Sequence, residues 1–377
     1  MNIDCLTSCR MIIYSVKHHK NRRVKSRHDL KSKRLKIRHV KVVKARNRFY
    51  ASLAEWRVRE IKQMKQHFWD YEEIRAPKRL SLIENPEEVL KFISLLTIAY
   101  EKRKKVYVHL RDVNYMTNDA LVLLLSNVAQ FKDRRIDFNG DRPLNSDVAR
   151  RIEKSGFYKI LYAKKKLSSD TGAIDLTSYS TNSIFTHAQK NVDSELTASL
   201  IASNSHFLWG QERRCQGVQR VFIELMQNTN NHASHTVGGK YWWISVSKKE
   251  NPKTICFSFI DYGMGVFKSL SNKQPGNKFY GWADKIRAFI NPDSHSSVLE
   301  SLLSGKFHST VTNNYFRGKG LPGIYREYQK GSIRNLIVVT NDAYADTQNN
   351  IYKPLSSQLD GTFVYFEVDS NCRNCVA

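Results

Sequence analysis

Three residue clusters in the C-terminal half have the types and spacing for chemistry on an anion. Glu224 and Asn228 lie in a stretch, 217–234, whose Val218, Val221, Phe222 and Leu225 recur at helical spacing. Four residues apart, they share one helix face a turn apart, and Asn231 falls near the same angle. A carboxylate beside a carboxamide can orient a water and offer oxygen to a hard cation such as Mg²⁺. Alone, such a pair on a helix simply faces solvent. Asp261-Tyr262-Gly263-Met264-Gly265 directly follows the strand-like run 255–260. An Asp at a strand end, with glycines two and four residues on, places an acceptor beside backbone that a ligand can approach closely, although a tight turn asks for the same glycines. Gly318-Lys319-Gly320-Leu321-Pro322-Gly323 precedes a helical pattern at 324–329. Glycines at a helix N-terminus expose N–H groups and the positive end of the dipole to phosphate, and Lys319 adds charge.

The third cluster also spells G-x-G-x-x-G, and Asp342 follows at roughly the spacing of a Rossmann ribose-binding acid. That reading requires a clear strand before Gly318, where residues 312–317 are polar and irregular. Its helix would be short and carry Pro322, and the first two clusters would stay unexplained.

Taken together, in this order and between residues 215 and 365, the clusters resemble the nucleotide site of the GHKL (Bergerat) superfamily, which includes histidine kinases, gyrase-type topoisomerases, MutL-type repair proteins, heat-shock chaperones and anti-sigma kinases. Glu224 to Asn228 matches the N box, Asp261 to Gly265 the G1 box, Gly318 to Gly323 the G2 box, and Gly361-Thr362-Phe363 the terminal Gly-Thr. The resemblance implies that Asn228 binds Mg²⁺, that Asp261 accepts a hydrogen bond from the adenine amino group, and that Thr362 supports that contact. Gly263 and Gly265 would line the adenine pocket, and Gly318, Lys319, Gly320, Leu321 and Gly323 would bind the phosphates of ATP. Glu224 would be the general base. His232, four residues after Asn228, is similar to the N boxes of anti-sigma and histidine kinases. Residues 268–317 would be the ATP lid, with Arg317 or Lys319 reaching the γ-phosphate. Pro322 departs from the family by removing an N–H donor. No phospho-accepting histidine helix precedes the domain, which argues against a sensor histidine kinase.

The stretch 106–125 resembles a STAS domain, the partner of anti-sigma kinases, with Asn118 where that family carries a phosphorylated Ser and Thr117 the nearest hydroxyl. A structural or docking role follows for it. The implied function is an ATP-dependent conformational switch or slow ATPase, with a protein partner or homodimer. The alternatives are an anti-sigma-type Ser/Thr kinase and a nucleic-acid-binding protein regulated by ATP.

These residues need elements to position them. Residues 1–76 form a basic arm with a helical pattern from Phe49 to Asp70. Residues 79–165 alternate β-α-β-α-β-α, with strand-like 79–83, 106–110 and 136–139, a helix opened by Pro86, one capped by Thr117, and another at 146–158. This order implies a small domain with a parallel sheet. Residues 166–194 read as a linker, and 195–370 as the ATPase domain, with strands near 241–246, 255–260, 336–340 and 362–368. The expected fold class is α/β: a Bergerat-type two-layer sandwich, a mixed sheet with helices on one face, preceded by the STAS-like domain and the arm.

The net charge of +26 is concentrated in that arm, since residues 1–70 hold 20 of the 61 Lys and Arg against 5 Asp and Glu. The arm fits nucleic acid or an anionic membrane surface, by counterion release, and equally a solvated tail. With 41% hydrophobic residues the rest can build proper cores. Six scattered cysteines make no disulfide framework. Cys372-Arg-Asn-Cys375 has half the spacing of a zinc site but no second half, so a reduced, frayed C-terminus is expected. No run approaches the length of a membrane span, and the apolar run 11–16 is too short for a signal peptide. A cytoplasmic location is the expectation.

Overall fold

Alternation along four strands explains the architecture. In β8 (Trp242–Glu250) and β9 (Lys253–Asp261) every residue from Trp242 to Val246 and from Thr254 to Asp261 is buried, so both faces of this sheet must be covered. Trp242, Ile244, Phe257 and Phe259 join one core; Trp243, Cys256 and Ile260 join another. The long hairpin of β10 (Arg334–Asp346) and β11 (Ile351–Asp369) divides in the same way, with Val338, Val364 and Phe366 on the first side and Val339, Phe363 and Tyr365 on the second.

The computed structural model of the chain describes residues 70–155, 157–162, 183–187, 192–232, 242–271, 295–304 and 320–376, and position 44; elements are numbered along these. The five-stranded sheet has the order β10-β11-β9-β8-β6, with β6 at Ser183–His187. All four strand pairs are antiparallel, where a mixed sheet was expected. β6 lies inside the expected linker, whose Ser- and Thr-rich composition carries no hydrophobic alternation to announce a strand.

The first face carries helices. They are α5 (Ser194–Trp209), α6 (Gln216–His232), α8 (His295–Leu303) and α9 (Leu321–Gln329), which share its core through Leu200, Phe222, Leu299 and Ile324. α8 falls in the stretch expected to be a lid, yet Val298, Leu299, Leu302 and Leu303 are buried against this core. Residues 295–304 are therefore part of the body.

The second face is covered by the N-terminal segments. Strands β1 (Glu72–Arg75), β3 (Val106–His109) and β5 (Phe138–Gly140) form the expected parallel sheet in the order β1-β3-β5. α1 (Pro86–Glu101) opens at Pro86 as its sequence predicts, and α2 (Asn118–Asp133) follows Thr117. The Thr117 hydroxyl, however, donates to Leu80 O at 3.2 Å instead of capping the helix. Three details depart from expectation. The first strand lies before Pro77, within the stretch assigned to the arm, because only Ile74 of Glu72–Arg75 is buried and no alternation marks it. The stretch 79–83 contributes only β2 (Arg79–Leu80), paired in parallel with β4 (Tyr115–Met116). The expected helix at 146–158 divides into α3 (Ser146–Lys154) and α4 (Phe157–Tyr162).

The core of the N-terminal segments is continuous with the second face of the five-stranded sheet, and Asp70–Ala377 clusters as one unit. At its C-terminus β12 (Cys375–Val376) pairs with β7 (Arg214–Cys215), and Cys215 is disulfide-bonded to Cys375. This corrects the expectation of a frayed, reduced tail: β7 leads into α6 and gives the terminal strand a partner. No helix among the described residues is long and apolar enough to cross a membrane. Apart from position 44, the arm up to residue 69, with the helical pattern expected from Phe49, lies outside the described residues.

Candidate functional site

The alternation that organises β9 also places its last residue. Asp261 has the same parity as Phe257 and Phe259 and therefore faces the helices; Tyr262, one residue on, faces the N-terminal segments. Strand pairing puts Thr362 of β11 directly opposite Asp261. The Thr362 amide donates to Asp261 Oδ1 at 2.8 Å, and the Thr229 hydroxyl of α6 donates to Asp261 Oδ2 at 3.2 Å. Asp261 and Thr362 are each 9% exposed and Thr229 is fully buried. Burial pushes the Asp261 carboxyl up to about 6, against the lowering effect of the Thr362 amide and the Thr229 hydroxyl. A half-satisfied carboxylate is thus held at the edge of the core, with lone pairs left for a further donor.

The turn after Asp261 is fixed from β10. Tyr262, Gly263 and Met264 link β9 to α7 (Gly265–Ser271), which begins at Gly265. Thr340 Oγ1 accepts from the Val266 amide at 3.0 Å. The Asn341 carboxamide accepts from the Phe267 amide at 3.1 Å and donates to Met264 O at 2.9 Å. Asn341 sits at a register shift of the β10–β11 ladder with φ +50°, a conformation Asn tolerates better than most residues. Gly361 must be glycine, because its φ is +137° and an added Cβ would lie 1.9 Å from Asp261 O.

The first and third clusters also meet. The Gly320 amide donates to Glu224 Oε2 at 2.7 Å, and a Cβ on Gly320 would come within 3.1 Å of Asn228 Oδ1. Gly320 has φ +83° and precedes α9. Leu321 is buried in the helix-side core, and the Gly323 amide donates to Gly320 O at 2.9 Å. Glu224 and Asn228 are half-buried one turn apart on α6, and Thr229 follows directly.

The structure therefore brings together Glu224, Asn228, Asp261, Gly263, Gly265, Gly320, Leu321, Gly323 and Thr362 around one end of the sheet. Arg317, Gly318 and Lys319 lie outside the described residues. His232 ends α6, with its side chain outside them. Sequence reasoning missed Thr229, Thr340 and Asn341. Their signal is a polar residue directly after Asn228, and a Thr-Asn pair closing the apolar run 336–339. The rival dinucleotide reading loses its supports. β10, which follows α9, pairs only antiparallel among the described strands, and Asp342 Oδ1 is engaged by His295 Nδ1 at 2.5 Å.

Among the described residues no cluster of three or more His, Cys, Asp or Glu could hold a metal ion. A cation here would rest on the Glu224 and Asn228 oxygens, on a ligand's own oxygens and on water, the sparse protein ligation Mg²⁺ accepts. In the N-terminal segments, Asn118 is buried, accepts from Arg151 Nη1 at 3.2 Å, and carries no hydroxyl to take a phosphoryl group. No protein-family model matches the chain, and no curated protein or solved structure matches it.

Proposed function

We propose that residues 195–370 form a Mg-ATP site of the GHKL type, and that the protein is an ATP-dependent conformational switch or slow ATPase. One observation carries the reading. Four sequence clusters, spread from Glu224 to Thr362, converge in two hydrogen-bonded units at one end of one sheet. Thr229, Asp261 and Thr362 make the first, and Glu224 with Gly320, against Asn228, makes the second. In this reading the first unit receives adenine, because Asp261 offers acceptor capacity to an amino donor from a buried, shaped position. The second receives phosphates and Mg²⁺, through Asn228 and the glycine-rich turn. Glu224 is the group that would take a proton from the attacking water.

The packing of α5, α6, α8 and α9 on one face of the five-stranded sheet supports a Bergerat-type arrangement, although the strands pair antiparallel where a mixed sheet was expected, and the parallel β1-β3-β5 layer supports a STAS-like one. The carboxamide of Asn118, where the STAS family carries a Ser hydroxyl, favours a docking role for that layer over a phosphorylated one.

The test is titration of the purified chain with ATP, with and without Mg²⁺. Mg²⁺-dependent binding that disappears in Asp261→Asn is expected. Binding that survives unchanged in Asp261→Asn would remove Asp261 from the site.

A further inference from the structure

Tyr262 stands between Asp261 and the first glycine of its turn, yet nothing in the proposed nucleotide chemistry uses it. It is only 6% exposed and points away from the site, into the second core. Its hydroxyl lies 2.5 Å from Ser126 Oγ and accepts from Asn127 Nδ2 at 3.0 Å, both on α2. The proton order closes without an orphan. The Asn127 amide donates to Tyr262 and Ser126 donates to Leu123 O at 2.8 Å, which leaves the Tyr262 proton for Ser126 Oγ or, at 3.4 Å, for Leu123 O. Asn127 Nδ2 also donates to Leu123 O at 2.8 Å. Such a network, sealed from water, fixes a position more sharply than any one bond in it.

We infer that Tyr262 is a positioning residue for the base-binding carboxylate of Asp261, and that Ser126 and Asn127 of α2 hold it in place. The N-terminal layer then builds part of the nucleotide site. On one side Asp261 is aimed by its strand neighbours Trp242 and Thr362. On the other side the chain runs into Gly263, which has no side chain to anchor it, so Tyr262 is the last fixed point before Thr340 and Asn341 capture the turn. Because consecutive strand residues face opposite ways, any shift of the phenol toward or away from α2 rotates Asp261 about the same backbone. Coupling is reciprocal: what α2 does to Asp261, a ligand on Asp261 does to α2.

This inference rests on the proposed ATP site, and its test separates the two. Mg-ATP and Mg-GTP affinities are measured for the full chain and for Tyr262→Phe, Ser126→Ala and the double variant. Amide exchange across residues 123–127 is followed with and without ATP. Tyr262→Phe is expected to weaken ATP about three- to tenfold, the effect of one net hydrogen bond, and to narrow the preference for ATP over GTP. The double variant should be no weaker than Tyr262→Phe alone, since both changes cut the same link. ATP should slow exchange in 123–127 of the wild type and not of Tyr262→Phe. A purely structural tyrosine would lower the melting temperature and leave the ATP-to-GTP ratio intact, which overturns the inference alone, as would unchanged exchange in the wild type. Failure of the wild type to bind ATP overturns the site and this inference together.

Discussion

The Gly320 amide donates to Glu224 Oε2 at 2.7 Å, so the carboxylate expected to act on water is also the group that fastens the glycine-rich turn to α6. Two roles on one side chain can be separated by substitution. Glu224→Gln keeps an acceptor for Gly320 but no base, so nucleotide binding should persist while hydrolysis falls at least about a hundredfold, within the usual range for a general base. Glu224→Ala loses both and should also bind more weakly. Equal hydrolysis by Glu224→Gln and the wild type would leave Glu224 only its structural bond.

Gly320 itself offers a second measurement. At φ +83° an alanine is strained, and its Cβ would also press on Asn228 Oδ1 at 3.1 Å. Gly210, the residue closing α5 at φ +69°, has nothing within 4 Å of such a Cβ. Gly210→Ala should therefore cost about 1 kcal/mol from backbone strain alone. Gly320→Ala should cost more, and only Gly320→Ala should weaken ATP. Equal losses in denaturant unfolding, with unchanged ATP affinity in both, would separate Asn228 from the turn's function.

Much of this site was legible because its residues are polar or glycine at places where a packed element needs neither. Asp261 ends a strand buried from Thr254 onward, Glu224 and Asn228 are half-buried beside Val221 and Leu225 on the flank of the helix's apolar face, and Gly361 is required beside Asp261 O. The fold was legible where burial is one-sided or bounded, as at Pro86, which opens α1. It was hidden where an element is short or nearly all polar. Glu72–Arg75 buries one residue, and β6 sits in a stretch rich in Ser and Thr. The covering of the sheet's second face was written in the run Ile255–Ile260, apolar on both faces but for Ser258, but such a run does not say what lies on either side. Tyr262 was unreadable for the same reason: its role depends on Ser126, 136 residues away.

Asp261 links the site to pH. Burial raises its carboxyl from 3.8 to about 6, so the folded chain holds a proton that the unfolded chain releases. The contribution of this group to stability is therefore greatest below about pH 4, falls as pH rises toward 6, and is constant above that. The full cost is roughly 3 kcal/mol. Asp261→Asn escapes it and should melt higher than the wild type at pH 8, with the gap closing at pH 4. Binding should move the opposite way. An amino donor prefers the ionised carboxylate, so adenosine affinity should rise through pH 6 and level above 7. Adenosine is the right probe because it has no phosphate of its own to titrate. A flat profile would mean that the carboxyl does not meet the base.

The Cys215–Cys375 bond joins residues 160 apart and ties the terminal strand to the start of the helix that carries Glu224. Closing so long a loop restricts the unfolded chain strongly, so Cys375→Ser should lower stability by up to about 5 kcal/mol. Reductant should produce a similar drop in the wild type and none in the variant. Disulfides persist in oxidising compartments and are rare in reducing ones, so the bond also bears on where the chain works. Peptide mapping after alkylation of the native protein, taken from its own cells without reductant, reads this directly. A linked 215–375 peptide is expected, with Cys256 and Cys372 protected by burial until the chain is denatured. Free, alkylated Cys215 and Cys375 would place the protein in a reducing compartment, where β7 and β12 must hold through their strand pairing alone.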